Sequence, residues 1–439
     1  MMSFGAAGLL SLPLLLVLIL LGVPIAVCLF GISIVGIALV LGPSQALALT
    51  GEVITELAAN WNLSAIPMFV LMGNLAFRSG LTELLFAAAR AWLGRLPGGL
   101  AVATNFACAG FGATSGSSIA TTLAMGRLAI PEMRRSGYDP GLAAAVCASA
   151  GTIAVLVPPS ILLVIYGIYA EQSISALFAA GILPGIMTAL AYAVLIVARC
   201  AANPTLAPPL AERFSWGTRF RLLAKVWPLP ILIIGVLGSI YSGLANPTEA
   251  GAWGACLAAL IAGLRKGRAF PRVLMDSLTE TVSLTANIFF IAAGAILYTK
   301  LVAVTGLSAT LAAVFAPWQD QPALLITGIA VIFPILGMLL EPLGLILIAL
   351  PVVLPLVKAT GADMIWFGIV IAKCVELGLL IPPLGMNLFA VKSITGSTIP
   401  MRVIASGLIW FLVVDIAVLA VLIIYPQTIL VLPRLLVGG

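Results

Sequence analysis

Long apolar stretches separated by short turn-forming segments run through all 439 residues of the chain. A helix needs about 20 apolar residues to cross the hydrocarbon core of a bilayer. Ten stretches of this kind are predicted as spans: 9–22, 24–41, 61–77, 140–165, 176–198, 226–243, 245–264, 278–298, 364–390 and 404–424. The pattern therefore predicts an all-α polytopic membrane protein.

Two further apolar stretches, 98–126 and 321–350, are divided in the middle by turn-like sequence. The dividing segments are Gly110–Ser118 in the first and Gly337–Pro342 in the second. Since each half is too short to span, each stretch could enter and leave the membrane by the same face. We predict two re-entrant hairpins.

Two of the predicted spans contain a Pro-Pro pair, at Pro158-Pro159 and at Pro382-Pro383. A broken helix in hydrocarbon frees backbone groups that have no water to bond, so it is tolerated only where protein or a watery cavity surrounds it. Broken helices at matching positions in two repeats are a pointer to the binding site of a transporter.

The two halves of the chain match at an offset of 224 residues, which aligns the two Pro-Pro pairs and also Pro131 with Pro355, Gly137 with Gly361, and Asp139 with Asp363. We predict a first repeat over 1–198 with scaffold spans in 9–77, a cytoplasmic linker over 199–225, and a second repeat over 226–439 with scaffold spans in 226–298. An odd number of spans in each half gives the second repeat the inverted topology.

Twelve of the 21 Lys and Arg residues fall into three clusters between predicted spans, within 127–135, 199–225 and 265–272. Cytoplasmic loops collect Lys and Arg, so these clusters are assigned to the cytoplasmic side. With this assignment both termini face the periplasm or the exterior. The net charge of +6 is explained by the same rule, and no nucleic-acid partner is indicated.

The composition of the chain disfavours several classes of function. The chain is 62% hydrophobic and 8% charged, and it has no histidine, which removes the usual general base and zinc ligand. Its six cysteines stand singly, without metal-ligand or redox spacing. No G-x-x-x-x-G-K-[ST] phosphate loop is present. Hydrolytic, metal-dependent and ATP-driven functions are therefore disfavoured.

The turn of the first predicted hairpin combines glycines with the hydroxyl groups of Thr114, Ser115, Ser117 and Ser118. Glycine permits unusual backbone geometry and hydroxyls supply oxygen ligands, so the turn could hold an alkali cation or an anionic solute. Close helix packing through small residues is the alternative.

Each broken helix adds polar groups. Gly151, Thr152 and Ser160 surround the first Pro-Pro pair, and their hydroxyls and freed carbonyls suit a hard cation such as sodium. Asn387 follows the second pair and offers both a donor and an acceptor. The half-helices after the breaks begin with free N–H groups, which suit a carboxylate.

Four ionisable residues lie at predicted membrane depth, where charge is costly and is a functional candidate by default. Glu341 stands in the turn of the second hairpin, where helix capping is the alternative. Lys373 and Glu376 are three residues apart on one helix face, so they could pair with each other or contact substrate. Asp415, in the last span, has no partner that the sequence identifies.

Taken in order along the chain, several motifs closely resemble those of one family. They are Gly112–Ser118, Pro131, Gly137-Tyr138, Ala150–Ser160, Tyr166-Gly167, Ala180–Gly185, Pro247-Thr248-Glu249-Ala250 and Gly337–Pro342 through Pro383–Asn387. The family is the large membrane subunit, or DctM-like permease, of tripartite ATP-independent periplasmic (TRAP) transporters. The resemblance covers nearly the whole chain.

This resemblance implies an elevator-type fold of the ion transporter superfamily, in which hairpins and broken helices move against a fixed scaffold. It implies a bacterial inner membrane protein that works with a small four-helix Q-type membrane subunit and a periplasmic substrate-binding protein. Its cofactors would be sodium ions, with no organic cofactor, and its substrate a small organic anion.

By the same resemblance, sodium would lie at each hairpin tip against its broken helix. The implied sodium ligands are Ser115, Gly116, Ser117, Ser118, Gly151, Thr152 and Pro158 at the first tip, and Glu341, Gly378, Pro382, Gly385 and Met386 at the second. The implied substrate-binding residues, between the two tips, are Thr114, Ser117, Ser160, Glu341 and Asn387.

Three positions depart from the family pattern. Ile381 replaces a threonine that usually precedes the second Pro-Pro pair, so a side-chain ligand is missing there. Glu341 is longer than the residue more often found at its position, and Lys373 is unusual.

We therefore expect sodium-coupled secondary active import of a small organic anion, with a carboxylate as the favoured class. A stand-alone sodium- or proton-coupled symporter of the same superfamily is the nearest alternative. An intramembrane enzyme using Glu341 or Glu376 as a base, and a passive channel, fit the sequence less well.

Overall fold

The computed structural model describes residues 4–208, 214–307 and 322–438, and over these residues the chain is helical with no β-strand. The helices of the first half are α1 (Phe4–Leu20), α2 (Ile25–Leu41), α3 (Pro43–Ala59), α4 (Ala65–Arg78), α5 (Leu81–Leu93), α6 (Gly99–Ser115), α7 (Ser118–Arg135), α8 (Pro140–Leu156), α9 (Ile161–Ala170) and α10 (Ile174–Ala202). An all-helical architecture is confirmed.

The second half begins with a short amphipathic helix and contains eleven numbered helices within the described residues. They are α11 (Trp216–Lys225), α12 (Pro228–Ile233), α13 (Ser239–Tyr241), α14 (Pro247–Lys266), α15 (Phe270–Val304), α16 (Pro322–Gly337), α17 (Pro342–Ala359), α18 (Met364–Gly378), α19 (Met386–Thr395), α20 (Met401–Ile424) and α21 (Gln427–Pro433). Residues 1–3 of the predicted first repeat, 209–213 of the linker, and 308–321 and 439 of the second repeat lie outside the described residues, and residue 321 is also the first of the second predicted hairpin.

Among the described residues, five helical stretches are long and apolar enough to cross a membrane, or six if the bent pair α8 and α9 is counted as one span. Other predicted spans appear as shorter apolar helices, such as the 17-residue α2. The count of ten spans, the hairpins and the inverted repeats stay predictions. Helices α3 and α5 were not anticipated, because acidic and basic side chains interrupt their apolar runs.

Helices α2, α4, α14 and α15 pack side by side. Gly254 of α14 packs closely on α4, since a methyl group there would lie 2.6 Å from the sulfur of Met72. Asn74 of α4 donates a hydrogen bond to Thr281 of α15 at 3.1 Å, and the rings of Phe30 and Phe290 stack with centroids 5.0 Å apart. We call these four helices the scaffold group.

The helix pairs α6–α7 and α16–α17, which cover the two predicted hairpins, pack against α8–α9 and α18–α19, which cover the two predicted broken helices. Small residues form the contacts. Helices α6 and α7 join at Gly116, whose φ of +59° favours glycine. A methyl group on Gly112 would lie 2.6 Å from Cα of Ala154, so α6 touches the backbone of α8. Residues 157–160 separate α8 from α9 with a 40° bend, and residues 379–385 separate α18 from α19. Both Pro-Pro peptide bonds are cis.

Candidate functional site

A cavity of about 450 Å³ lies where the junction of α6 and α7 meets the scaffold group. One wall comes from residues 115–120, from the first residues of α9 and α17, and from Glu376 of α18. The opposite wall comes from α4, including Asn74 and Phe77, and from α15, including Glu280 and Ile288. Six elements, most of them far apart in the sequence, therefore enclose one space.

Three helix N-termini reach this cavity. Ser118 begins α7, Ile161 begins α9 and Pro342 begins α17, and all three residues line the space. The first N–H groups of a helix have no partner within the helix, and the helix dipole places partial positive charge at this end. Their convergence makes the wall suitable for a negatively charged group.

The charged residues that line the cavity are Arg127, Glu280, Glu341 and Glu376. Glu376 is fully buried, and neither of its carboxylate oxygens has a hydrogen-bond partner among the described residues. Glu341 precedes α17, but its side chain makes no capping hydrogen bond, so its carboxylate is also available to the cavity. Hard cations such as sodium favour oxygen ligands of this kind.

The structure brings several of the implied sodium and substrate ligands to this wall. Ser115, Gly116, Ser117, Ser118 and Glu341 line the cavity directly. A side chain on Gly151 would overlap the hydroxyl of Thr122 and lie 3.0 Å from the carbonyl oxygen of Ser118, so α8 closes on the start of α7.

Asn387 does not line the cavity but contacts its wall at Ser118, although it comes from the second half of the chain. Its amide nitrogen donates to Ser118 Oγ at 2.9 Å and to the carbonyl oxygen of Ala148 at 3.1 Å. The hydroxyl of Ser160 instead caps α9, accepting a hydrogen bond from the N–H of Leu163.

Other implied ligands point elsewhere or lie outside the cavity wall. The hydroxyl of Thr114 donates to the carbonyl oxygen of Phe111, and that of Thr152 donates to the carbonyl oxygen of Ser149. Neither residue lines the cavity, and neither does Pro158, which is buried.

The implied sodium ligands of the second hairpin do not come together in one place. Gly378 packs on Gly337, because a methyl group on Gly378 would lie 2.7 Å from Cα of Gly337. Gly385 folds back on the carbonyl group of Leu379. Met386 lines a separate, more open cavity of about 500 Å³ together with Leu384, whereas Glu341 lines the first. Pro382 lines neither of them.

Comparison with known proteins identifies the family. The sequence profile of the DctM component of tripartite ATP-independent periplasmic transporters matches residues 12–428. The chain belongs to this family. It is 34% identical to the C4-dicarboxylate TRAP transporter large permease protein DctM of Pseudomonas aeruginosa, over 86% of this chain and 88% of that protein. It is 32% identical to the sialic acid TRAP transporter large permease protein SiaM of Vibrio cholerae, over 86% of this chain and 88% of that protein.

The fold has a counterpart among solved structures. The crystal structure of the Alcanivorax borkumensis YdaH transporter matches with a TM-score of 0.58 at 15% identity, over 88% of this chain and 89% of that chain. The TRAP permease family and the apolar helices establish a bacterial multi-pass membrane protein. Since the relatives are named as permease subunits, the prediction of a transporter rather than an enzyme is confirmed.

The sequence left two roles open for Lys373 of this permease, pairing with Glu376 or contact with substrate, and the structure shows a different partner. Lys373 does not pair with Glu376; its ammonium nitrogen lies 2.5 Å from Oδ1 of Asp415 and 3.3 Å from the hydroxyl of Thr188. Tyr192 donates a further hydrogen bond to the same carboxylate oxygen at 2.6 Å. Asp415 therefore has two partners, both from other helices that the sequence alone does not place beside it.

The sequence also left part of the cavity unassigned. Like Glu341, Glu376 is a carboxylate at predicted membrane depth and therefore a functional candidate. Because Lys373 lies three residues away, an ion pair between Lys373 and Glu376 was an equally good interpretation. Asn74 and Glu280 line the cavity from α4 and α15, in which no motif marks them. Arg127, which the sequence assigned to a cytoplasmic cluster, lines the cavity from the middle of α7.

Proposed function

We propose that this permease imports a small organic acid, bound as its carboxylate anion, and that sodium ions accompany it. The observation that carries this proposal is the convergence of three helix N-termini and two buried or half-buried glutamates on one cavity. The N-termini favour the substrate carboxylate, while the glutamates favour the cations. Bound sodium would thus lie between the substrate carboxylate and the glutamate carboxylates, which otherwise repel each other.

The size of the cavity fits a small solute. About 450 Å³ lies within the range of roughly 300–1,000 Å³ usual for small-molecule sites. The substrates named for the two relatives, a C4-dicarboxylate and a sialic acid, are both carboxylic acids. These names support a carboxylic acid as the class of substrate. The uptake assay described below tests which acid is transported.

We further propose an elevator motion, in which α6–α9 and α16–α19 move as one body against the scaffold group. The cavity lies at the boundary between these two bodies. Close backbone approach marks the same boundary, because a methyl group on Gly73 of α4 would lie 2.8 Å from the carbonyl oxygen of Thr114 in α6. Tyr169 of α9 and Thr299 of α15 share a hydrogen bond across it.

The proposed orientation follows the basic residues. The ends of α4, α7 and α14 carry Arg78, Arg134, Arg135, Arg265 and Lys266, and the positive-inside rule assigns these ends to the cytoplasm. In the inner membrane both termini of the chain would then be periplasmic. The proposed partners are a small Q-type membrane subunit and a periplasmic substrate-binding protein.

Uptake into proteoliposomes tests the proposal. The permease and its small subunit are reconstituted, and uptake of a labelled panel of carboxylates is measured with and without an inward sodium gradient and the binding protein. Uptake that requires the gradient and the binding protein is the expected result. Sodium-driven uptake without the binding protein would instead indicate a stand-alone symporter, and uptake without any sodium dependence would contradict the proposed coupling.

A further inference from the structure

Lys373 and Glu376 lie on the same face of α18, where an ammonium and a carboxylate three residues apart ordinarily attract each other. The fold prevents this pairing. Lys373 is 1% exposed and directed towards Asp415 of α20, which is fully buried. Thr188 and Tyr192 of α10 complete the contacts, the first with the ammonium group and the second with the carboxylate. One positive and one negative charge thus neutralise each other away from the cavity.

Glu376 is left as a buried carboxylate without a hydrogen-bond partner among the described residues. It lines the cavity together with Ser118. An uncompensated charge in a buried membrane site is unfavourable, so this carboxyl group is stable either protonated or with a cation bound beside it in the cavity.

Asn387, which contacts Ser118 through its amide nitrogen, carries a second oxygen without a partner among the described residues. Its amide nitrogen must face the carbonyl oxygen of Ala148, which only accepts hydrogen bonds, and this contact fixes the orientation of the amide. Oδ1 of Asn387 is buried and has no partner among the described residues. Asn387 therefore contacts Ser118, and Glu376 lines the same cavity as Ser118; each carries an oxygen that has no partner among the described residues.

We propose that Glu376 is the anionic ligand of a sodium ion bound beside Ser118, with Oδ1 of Asn387 as a further ligand, and that Asp415 keeps Lys373 from occupying that position. This inference rests on the proposed sodium coupling and adds its charged ligand. The site joins the two halves of the chain, because Ser118 comes from the first and both other ligands come from the second. Asp415 is a positioning residue, since it acts through Lys373 and does not touch the ion.

The test measures sodium binding without transport. Purified permease with its small subunit is titrated with sodium chloride against choline chloride at constant ionic strength, and the midpoint of thermal unfolding reports occupancy. Glu376→Gln is expected to raise the half-saturating sodium concentration at least about tenfold, because affinity for a hard cation depends on the charge of its ligands. Glu83→Gln, an exposed carboxylate of α5, is the matched control.

The positioning role is tested with Asp415→Asn, which releases Lys373 to pair with Glu376. Sodium affinity is expected to fall in this variant and to recover in Lys373→Met/Asp415→Asn, where no ammonium competes. The double variant also removes the unpaired charge that Asp415→Asn leaves behind, so we expect it to fold even where the single variant is unstable. A purely structural role of Asp415 would not move sodium affinity between these variants.

Three outcomes would overturn the proposal. Sodium affinity unchanged in Glu376→Gln, with a clear response in the unmodified permease, would reject the ligand and leave sodium coupling in place. Affinity not restored in the double variant would reject the competition. A permease that shows no sodium response at all, with uptake driven by a proton gradient, would reject the proposed coupling and this inference together.

Discussion

We expect the stability of the folded permease to depend on the ion pair between Lys373 and Asp415. Both side chains are buried, at 1% and 0% exposure. In Asp415→Leu the ammonium group keeps only the hydroxyl of Thr188, at 3.3 Å. Breaking a buried ion pair from one side costs about 3–5 kcal/mol, because it leaves an uncompensated charge. We therefore expect a large loss of stability from this single substitution.

The double variant Lys373→Met/Asp415→Leu is expected to behave differently. It removes both charges and replaces them with apolar side chains of similar volume, a change that is often neutral or stabilising. Tyr192→Phe should lie between the two, since it removes one hydrogen bond to a charged acceptor, worth about 1.5–3 kcal/mol. The order of stability is thus the unmodified permease and the double variant first, then Tyr192→Phe, then Asp415→Leu.

The midpoint of thermal unfolding in detergent, measured at one fixed scan rate because unfolding of such proteins is often irreversible, gives this order. Glu376 lies one turn along α18 and can accept the released Lys373, so the series is repeated in the Glu376→Gln background. There the loss in Asp415→Leu should be larger. A double variant as unstable as the single one, or a single variant with no loss, would refute the argument.

Three further predictions concern close packing and capping. In Gly151→Ala the added methyl overlaps a neighbouring hydroxyl, so we expect a loss of about 1–3 kcal/mol and of uptake, whereas Gly217→Ala, with nothing within 4 Å, should change neither. Gly378→Ala places a methyl 2.6 Å from a carbonyl oxygen of α16; uptake should fall at an unchanged expression level, unlike in Gly328→Ala, whose added methyl has open space. Asn246→Ala breaks the capping box of α14 and should lower thermal stability by about 1 kcal/mol while sodium affinity stays the same; a change in that affinity would mean that this helix end contributes to the site.

The sequence by itself determined the class of protein and the position of its helix breaks. Composition excludes a soluble domain, and the Pro-Pro pairs at 158–159 and 382–383 fall between helices as their missing N–H groups require. The hydroxyl-rich turn ending at Ser118 can be predicted from the sequence, because the backbone freedom of glycine and the hydroxyl group of serine do not depend on distant residues. Such features depend on neighbours in the chain, so they can be read from it.

Only the tertiary structure decided which charges meet. Lys373 pairs with a residue 42 positions away and not with the glutamate three positions away, and Asn387 reaches Ser118 across 269 positions. Helical spacing predicts neighbours on one helix, but at membrane depth a charge is stabilised by any suitable partner on an adjacent helix. Helix packing therefore determined that Glu376, and not Lys373, faces the cavity.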